Sequence, residues 1–507
     1  MMSDRVTIGS VRDRLVASGI AVEAVGSAEG LVSSIAHDSR AVEAGSVFVC
    51  LRGESFDGHE FAQQAVASGA VGVLVDHRLD LHPRPDSSGE PVAQLIVDDT
   101  RRAAGPAASV AWGDPSRRLA TVGITGTNGK TTTAQIVAAL LDNTLSGTGS
   151  TGVSPTGIIG TLHGPRTTPE GPDLHATLAD FVGDGRTAAV MEVSSHALEL
   201  HRIDGTAFDV VAFTNLGHDH LDLHGTHEAY FRAKSALFTS EFAPVAVLDV
   251  DDTHGRLLAD TISARSSGDA MRVVEVSIGD VDDLVVDTSQ HSYTWRGRRI
   301  VVPLGGDFNA SNSLLALSIV AELADSLGFD LDAAISGFES LGPVPGRFES
   351  IDTPETAARD ITVIVDYAHT PDGLETLLHA ARPLTRGRLI SVFGCAGRRD
   401  VAKRPVMGEV AARLSDVTIA TSDNPRGEDP SKIIDDVICG VDEQYRRRVS
   451  SEPDRRAAIA HALAQAETGD VVVVAGKGHE RTQDLGDAVI EFDDRDVVRE
   501  LLRVHAS

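Results

Sequence analysis

The chain has 507 residues, of which 42% are hydrophobic and 4% aromatic, and its formal net charge is -29 at pH 7. This length exceeds what one compact core accommodates and predicts about three domains. The acidity argues against a nucleic-acid partner, because nucleic acids are normally bound by a basic surface. Any anionic substrate must therefore meet locally basic residues.

The cysteines and the apolar segments indicate where the protein works. Cys50, Cys395 and Cys439 are widely spaced and predict neither a disulfide framework nor a zinc site. The first residues mix charges early, and no run of about 18 apolar residues follows anywhere. We therefore expect a protein of the reducing cytoplasm that is neither exported nor inserted in a membrane.

The N-terminal part alternates short strand-like and helical stretches. The runs SVFVCLRG, AVGVLVD and AQLIVDD predict strands, and HEFAQQAVASG predicts a helix. A Gly-Asp-Pro-Ser turn near Pro115 then marks a boundary. These patterns predict a small α/β domain over residues 1–116.

The middle of the chain opens with an apolar strand, TVGIT, a Gly-rich turn and the helical segment TTTAQIVAALLDN. Further strands are predicted at AAVMEV, VVAFTNL and APVAVLDV. This alternation predicts a mainly parallel sheet covered by helices on both faces, over residues 117–344. The segment GPVPGR interrupts the pattern and marks the next boundary.

The C-terminal part, residues 345–507, contains four more strand-like runs, ITVIVDYA, RLISVFG, VTIATSD and DVVVVAG. The last has four consecutive valines, as is typical of a parallel strand buried on both faces. The predicted fold class of the whole chain is therefore α/β in three domains.

A phosphate-binding loop is the first candidate site. The sequence GITGTNGKTT, residues 123–132, follows a strand and opens a helix. Lys130 would neutralise the outer phosphates, and the Thr131 hydroxyl would bind magnesium beside the positive end of the helix dipole. The strict spacing is not met, because Ile124 stands where its first glycine belongs. A Gly-rich turn with an incidental lysine is the alternative.

Two clusters of acidic and imidazole groups follow predicted strands. MEVSSH contains Glu192, and NLGHDHLD contains His218 and His220. Ligands gather at the carboxyl ends of strands in open α/β sheets. Glu192 and His220 are therefore candidate partners for magnesium. The alternative is that both histidines lie in a solvated loop.

Nine motifs in one order carry a resemblance to a known family. They are GITGTNGKTTT, MEVSSH, FTNLGHDHLDLHG, FRAKSALF, GDFNASNSLLA, VPGRFE, VDYAHTPDGLE, TSDNPRGEDP and AGKGHE. The chain resembles the Mur ligase family over nearly its full length. The resemblance implies an N-terminal uridine-nucleotide domain, a central P-loop domain and a C-terminal Rossmann-like domain that receives an amino acid.

The resemblance also implies the chemistry. A monomeric enzyme would use Mg²⁺ and ATP to join a carboxylate to an amine through an acyl phosphate. Its partners would be small molecules: ATP, a UDP-N-acetylmuramoyl dipeptide and a diamino acid. Rival interpretations are a folylpolyglutamate synthetase-like ligase and a P-loop regulatory protein that hydrolyses ATP without ligation.

The family pattern implies roles for individual residues around ATP. The nucleotide contacts would be Gly126, Thr127, Asn128, Gly129, Lys130, Thr131, Thr132, Asn309, Asn312, Arg347, Asp366 and His369. The metal ligands would be Thr131, Glu192, His220 and Lys234, and the catalytic set would be Lys130, Glu192, His220 and Lys234. Lys234 corresponds to a family lysine that is carbamylated, which would let it hold a second magnesium. An unmodified exposed lysine is the alternative, and His369 could instead be a loop histidine bonded to the backbone.

The nucleotide-sugar peptide would contact Ser39, Arg40, His59, Thr167, Thr168, Ser194 and Arg202. The N-terminal segments DSR and DGH that supply the first three could equally be turns. Relatives often place a glutamine where this chain has Leu200.

The amino-acid site is implied at Arg399, Asp423, Asn424, Arg426, Gly476 and Glu480. Arg426 favours meso-diaminopimelate, because a guanidinium can pair with its second carboxylate and would repel the ammonium of L-lysine. Glu480 would hold the distal ammonium. L-Lysine or another diamino acid, with Arg426 in a structural salt bridge, remains the alternative. Arg398 replaces a family acid and reverses a charge nearby.

Overall fold

The computed structural model describes residues 5–53, 56–83, 91–145, 153–217, 224–265 and 271–505. Its two largest sheets have six strands each, and most of their strand pairs are parallel. None of the helices in these ranges is both long and apolar enough to cross a membrane.

The N-terminal sheet has the order β1-β5-β4-β3-β2, with β1 as an antiparallel edge on β5. Its strands are β1 Glu23–Val25, β2 Ser34–Ala36, β3 Ser46–Val49, β4 Gly72–Val75 and β5 Ala93–Ile96. Its helices are Ile8–Ala17, Ala62–Ala67 and Thr100–Ala111. The three predicted strands are confirmed as β3, β4 and β5, and β3 and β4 are buried along their whole length because both faces are covered.

The central sheet is parallel throughout, with the order β11-β10-β9-β6-β8-β7. Its strands are β6 Ala120–Thr125, β7 Thr156–Ile159, β8 Ala188–Glu192, β9 Val210–Phe213, β10 Val245–Asp249 and β11 Arg272–Val276. Its helices are Lys130–Leu145, Gly171–Gly183, Ser195–Glu199, His227–Ser235, Thr253–Ser263, Asp307–Leu327 and Leu331–Ile335.

An antiparallel three-stranded sheet, which the sequence did not predict, packs beside the central one. It consists of β12 Asp282–Val286, β13 His291–Trp295 and β14 Arg298–Val302. Tyr293 and Trp295 point from it into the same apolar core as the helices Lys130–Leu145 and Asp307–Leu327. A second core covers the opposite face of the central sheet. The predicted layering of helices on both faces is therefore confirmed.

The C-terminal sheet has the order β15-β16-β20-β17-β18-β19, parallel except for the edge strand β15. Its strands are β15 Glu349–Ser350, β16 Thr362–Asp366, β17 Leu389–Cys395, β18 Val417–Ser422, β19 Val449–Ser451 and β20 Val471–Ala475. A hairpin follows, formed by β21 Thr482–Asp484 and β22 Val489–Glu491. The helices are Pro354–Arg359, Pro371–Ala381, Lys403–Leu414, Pro430–Cys439, Arg455–Gln465 and Asp494–His505.

A fully buried ion pair ties the C-terminal helix to the carboxyl ends of two strands. Arg455 Nη2 lies 2.7 Å from Asp494 Oδ2, and both side chains are 0% exposed. The same guanidinium donates to the carbonyl oxygens of Ser422 and Ala475, at the ends of β18 and β20. The pair therefore fixes the strand ends from which the following loops leave.

We expect Asp494→Ala to lower the free energy of unfolding by about 3–5 kcal/mol, because it leaves the Arg455 charge buried and unpaired. The matched control is Glu500→Ala, which removes a half-exposed ion pair with Arg456 from the same helix and should cost less than about 1 kcal/mol. Urea unfolding of the three proteins measures both effects. Equal losses in the two variants would contradict this assignment.

Candidate active site

The predicted phosphate loop joins β6 to a helix, as expected. The turn holds Gly126, Thr127, Asn128 and Gly129, and the helix opens with Lys130, Thr131 and Thr132. Gly126 and Gly129 have φ of +149° and +84°. A Cβ at Gly126 would lie 1.8 Å from Thr214 Oγ1, just beyond β9. Only glycine fits here, so the loop lies directly against the neighbouring strand end.

The Lys130 ammonium lies over this loop. Its Nζ donates to the carbonyl oxygens of Gly126 and Thr127, both at 2.8 Å. Thr127 and Asn128 are held in turn by the segment after β9, through the carbonyl oxygen and the side chain of Asn215. Asn215 therefore holds the loop on one side, and Lys130 places a positive charge on the other side.

Glu192 ends β8 beside the loop and is 1% exposed. Its Oε2 accepts a hydrogen bond from Thr131 Oγ1 at 2.9 Å, and its Oε1 accepts one from the Thr161 amide at 2.9 Å. A Cβ at Gly160 would come within 2.3 Å of Oε1, so glycine leaves room for the carboxylate. A carboxylate and a hydroxyl in contact are oxygen donors that fit magnesium, a hard cation.

Lys234 is buried rather than exposed, at 1% of its surface, which excludes an exposed lysine. Its Nζ donates to Gly126 O at 2.8 Å and lies 4.4 Å from the centre of the Tyr230 ring. Lys130 and Lys234 therefore converge on one carbonyl oxygen of the phosphate loop. His220, predicted as a ligand and a catalytic group, lies outside the described residues, as does His218.

The predicted adenine-side pair, Asn309 and Asn312, lies in the first turns of the helix Asp307–Leu327. Asn312 Nδ2 donates to Asn309 Oδ1 at 3.0 Å, and Asn309 Nδ2 donates to Gly305 O at 2.7 Å. A Cβ at Gly129 would lie 2.3 Å from Asn312 Oδ1. The asparagine pair is therefore in contact with the phosphate loop.

Residues at the start of the C-terminal sheet reach the same loop. Arg347 Nη2 donates to Thr131 Oγ1 at 3.3 Å, and its guanidinium lies 4.5 Å from the centre of the Tyr367 ring. Asp366 ends β16 and accepts the amides of Phe348 and Ala368 at 2.6 and 2.7 Å. Burial raises the pKa of Asp366. Arg347 is thus a direct link between the two largest sheets.

His369 fits its alternative interpretation as a loop histidine, and its contact with ATP stays a prediction. Its Nδ1–H donates to Tyr367 O at 3.0 Å, as a loop histidine bonded to backbone would. It also lines a large cavity in the C-terminal sheet. The backbone bond therefore fixes the orientation of the ring at the edge of this cavity.

The residues predicted for the dipeptide lie around the end of β8. Thr168 Oγ1 donates to Glu192 O at 2.9 Å and accepts the Ser194 amide at 3.1 Å. Arg202 Nη1 donates to Thr168 O at 3.3 Å. Thr167 Oγ1 is 3.0 Å from the hydroxyl of Thr161, which also bonds Glu192. The dipeptide and metal candidates therefore form one connected network.

Glu170 is a member of this network that the sequence analysis missed. Its carboxylate lies 2.7 Å from Arg202, 3.0 Å from Arg166 and 3.5 Å from Arg101. Three cations around one anion leave net positive charge next to Thr168. Glu170 directly follows Thr167, Thr168 and Pro169, and this position in the sequence could have suggested a role. Arg101, however, comes from the N-terminal part, and only folding brings it close to Glu170.

The N-terminal candidates lie in turns, as their alternative interpretation held. The Asp38 carboxylate accepts the amide of Arg40 at 2.9 Å, in a 3₁₀ turn that also contains Ser39. Asp57 accepts the amide of His59 at 3.0 Å in the same way. Next to the first turn, His37 Nε2 lies 2.9 Å from Asp173 Oδ2 on a helix of the central sheet. Contact of Ser39, Arg40 and His59 with a uridine nucleotide stays a prediction.

The predicted amino-acid residues meet in a cavity of about 620 Å³ at the carboxyl ends of β16, β17, β18 and β20. All six line it: Arg399, Asp423, Asn424, Arg426, Gly476 and Glu480. Parallel strands bring residues from distant motifs to one edge of a sheet, which is why the set converges.

Lys477 is a second residue that the sequence analysis missed. It is fully buried, and its Nζ donates to Glu480 Oε2 at 2.8 Å and to Asn424 Oδ1 at 3.2 Å. Asn424 Nδ2 donates to the same Glu480 oxygen at 2.9 Å. Burial alone would raise the pKa of Glu480, but the Lys477 charge and these hydrogen bonds hold that pKa below its usual range. Glu480 is therefore a carboxylate at neutral pH.

Arg426 has a left-handed backbone, with φ of +51°. Its Nε lies 3.9 Å from Asp484 Oδ2, a distance at the outer limit of an ion pair, and its guanidinium reaches the cavity. Arg398, the charge reversal, is exposed and lies against Gly427 rather than among the residues that line the cavity. The reversed charge is thus outside the pocket. Leu200 caps the end of the helix Ser195–Glu199.

Three family models match successive parts of the chain. Mur ligase family, catalytic domain, matches residues 31–111, Mur ligase middle domain matches residues 124–320, and Mur ligase, glutamate ligase domain, matches residues 346–478. A relative from Syntrophomonas wolfei is 41% identical over 487 residues, covering 93% of this chain and 95% of that protein. The chain belongs to the Mur ligase family.

The Syntrophomonas wolfei protein is named UDP-N-acetylmuramoyl-L-alanyl-D-glutamate--2,6-diaminopimelate ligase. A Mur ligase of the same name from Streptomyces coelicolor is 41% identical over 500 residues, covering 94% of this chain and 93% of that one. A solved structure of a Mur ligase of this name superposes with a TM-score of 0.63 at 31% identity, covering 94% of this chain and 96% of that one. The predicted α/β fold class and family are confirmed.

A folylpolyglutamate synthase from Mycobacterium tuberculosis shares the fold, with a TM-score of 0.54 at 20% identity, over 74% of this chain and 91% of that one. At this identity the likeness extends to the fold alone.

We expect Lys477→Met to destabilise the protein at neutral pH by about 3 kcal/mol, because the Glu480 charge stays buried without its cation. The lowered pKa of Glu480 stabilises the wild type above the unfolded pKa of a glutamate, about 4.3, and this contribution is lost as pH falls through the folded pKa. In the variant, burial acts on Glu480 without the Lys477 charge to offset it and raises the pKa, so protonation relieves the unpaired charge and the deficit should shrink between pH 7 and pH 4. Urea unfolding across this range measures it, with the exposed Lys432→Met as control. A pH-independent deficit would refute the coupling.

Proposed function

We propose that this chain is an ATP-dependent ligase that adds meso-2,6-diaminopimelate to UDP-N-acetylmuramoyl-L-alanyl-D-glutamate, with release of ADP and phosphate. The reaction belongs to peptidoglycan precursor synthesis in the cytoplasm, on which cell shape and cell division depend. The proposal draws on two relatives of this name, each 41% identical over more than nine tenths of the chain.

The observation that carries the choice of amino acid is the charge pattern of the C-terminal cavity. Arg399, Arg426 and Glu480 line one volume of about 620 Å³, which is also lined by Lys403 and by Asp372, Asp400 and Asp423. We assign the substrate charges to the first three. Meso-diaminopimelate has two carboxylates and a distal ammonium, which complement these three charges. L-Lysine has no second carboxylate, so it would leave the Arg426 guanidinium without an anion.

The phosphate loop provides the ATP site in this proposal. Lys130 would move from the loop carbonyl oxygens to the outer phosphates, and Arg347 would approach the transferring phosphoryl from the other sheet. Thr131 and Glu192 would hold magnesium, which offsets negative charge on the phosphates when it is bound. Asn309 and Asn312 would read the adenine edge, and Asp366 the ribose.

The dipeptide network would position the acyl donor. Thr167, Thr168, Ser194 and Arg202 would hold the dipeptide so that its terminal carboxylate faces the ATP γ-phosphate. That carboxylate attacks the phosphorus and expels ADP, which gives an acyl phosphate. The amine of the diamino acid then attacks the acyl carbon, phosphate leaves, and the amine loses a proton. Closure of the C-terminal domain would exclude water, which would otherwise hydrolyse the acyl phosphate.

Lys234 is the proposed site of carbamylation. Addition of carbon dioxide to its neutral amine would replace a buried cation with an anion next to Gly126 O. An anion here would favour a second magnesium, while the N–H that remains on Nζ could still donate to that carbonyl oxygen. The buried position and the contact with the phosphate loop support this assignment. The uridine nucleotide would lie at Ser39, Arg40 and His59, and the enzyme would act as a monomer.

The direct test is phosphate release with ATP, Mg²⁺ and the UDP-muramoyl dipeptide, with meso-diaminopimelate or L-lysine, and the mass of the product. We expect turnover only when both the dipeptide and a diamino acid are present, with selectivity for meso-diaminopimelate. Lysine-selective turnover would support the assignment as a ligase and refute the assignment of meso-diaminopimelate as the amino acid added. Phosphate release that does not depend on the dipeptide or on the diamino acid would refute the assignment as a ligase.

Arg426→Lys should lower kcat/KM for meso-diaminopimelate by roughly 10- to 100-fold, because lysine keeps the charge but loses the two parallel hydrogen bonds of a guanidinium. Turnover with L-lysine should change little. Arg398→Lys is the matched control, since Arg398 has the same left-handed backbone, with φ of +52°, and lies outside the cavity. Equal effects of the two variants on diaminopimelate would rule out the assigned role of Arg426.

A further inference from the structure

A cluster of imidazole and carboxylate groups lies at the carboxyl ends of β3 and β4 in the N-terminal sheet. Asp76 and His77 directly follow β4. His59 lies in the 3₁₀ helix Gly58–Phe61, which comes between β3 and the helix Ala62–Ala67. Each offers one ligand atom within 4.8 Å of the other two. No other set of three such side chains comes as close in the described part of the chain.

His59 lies between two aspartates. Its Nδ1 is 2.5 Å from Asp57 Oδ1. Its Nε2 is 3.3 Å from the Asp76 amide nitrogen and 3.2 Å from Asp76 Oδ1, and a metal at Nε2 would replace the amide contact. A carboxylate on the far nitrogen of a histidine ring is the usual outer support of a metal ligand.

The spacing fits a small tetrahedral ion. His59 Nε2 lies 3.2 Å from Asp76 Oδ1. Two ligands with bonds of about 2.0–2.1 Å to a tetrahedral zinc ion lie about 3.3 Å apart. His77 Nδ1 contacts the same Asp76 oxygen, and the His59 and His77 rings stack with centroids 4.9 Å apart. Asp76 Oδ1 is therefore the atom that both imidazole rings approach.

Arg52 contacts the Asp76 carboxylate and still leaves one of its oxygens available to a metal. Its Nε donates to Asp76 Oδ2 at 2.7 Å, while its Nη2 lies 3.2 Å from Oδ1. Oδ2 can keep the arginine while Oδ1 binds a metal, as hydrogen-bonded metal carboxylates do. Arg52 also pairs with Asp57 at 2.8 Å, which holds the support of His59 in place.

We propose that His59, Asp76 and His77 form a zinc-binding site in the N-terminal domain. Two imidazoles and one carboxylate suit zinc better than magnesium, which prefers oxygen. On binding, the metal would replace the contact between His77 Nδ1 and Asp76 Oδ1. The fourth position is open to water or an anionic oxygen, because the His77 side chain is 54% exposed. The uridine nucleotide that we propose near His59 would then meet this residue through the metal rather than directly.

Equilibrium dialysis of the full chain against zinc, in excess magnesium, tests the site. His77→Ala should bind one zinc ion fewer than the wild type. His82→Ala, which removes an exposed histidine near the site in sequence, should bind as many as the wild type. Unchanged zinc stoichiometry and affinity in His77→Ala would overturn the proposal.

A second measurement uses the unaltered chain and so does not depend on how the variant folds. Diethyl pyrocarbonate modifies accessible imidazoles, and peptide masses locate the product. Zinc should protect His77 and leave His82 reactive. Equal modification of His77 with and without zinc would refute the site.

Discussion

The close approach of three parallel strand ends is the constraint on which the rest of the molecule depends. Gly126 fits beside Thr214 only because it has no side chain, and this contact sets the phosphate loop directly against β9. Glu192 reaches the loop from β8 on the other side. Lys130 and Lys234 then converge on Gly126 O. A larger residue at Gly126 would disturb all of these contacts around the phosphate loop at once.

The C-terminal sheet repeats this principle with different chemistry. Its strand ends gather guanidinium and carboxylate groups around a cavity, and the buried Arg455–Asp494 pair fixes two of those ends. Arg347 joins the two sheets at Thr131 Oγ1, so one side chain links the phosphate loop to the C-terminal sheet. Proximity of separately bound substrates is the main catalytic resource of such an arrangement.

The sequence predicted the buried parallel strands well, because each is a short apolar run bounded by turn residues. β12 to β14 were missed, since β12 is largely exposed and burial alternates along β13 and β14, from which Tyr293, Trp295, Ile300 and Val302 reach the core. The six cavity residues were named from motifs, while their convergence follows from strand order. Glu170 and Lys477 were missed, because their importance lies in partners that folding brings close. Domain boundaries and the roles of site residues stay predictions.

Transfer of oxygen from substrate to phosphate tests the central claim most directly. The dipeptide substrate would carry ¹⁸O in its terminal carboxylate, and the released phosphate would be analysed by mass spectrometry. Activation as an acyl phosphate predicts one ¹⁸O atom in each phosphate formed during ligation. Phosphate that contains no label, in a reaction that still yields the amide, would contradict the account.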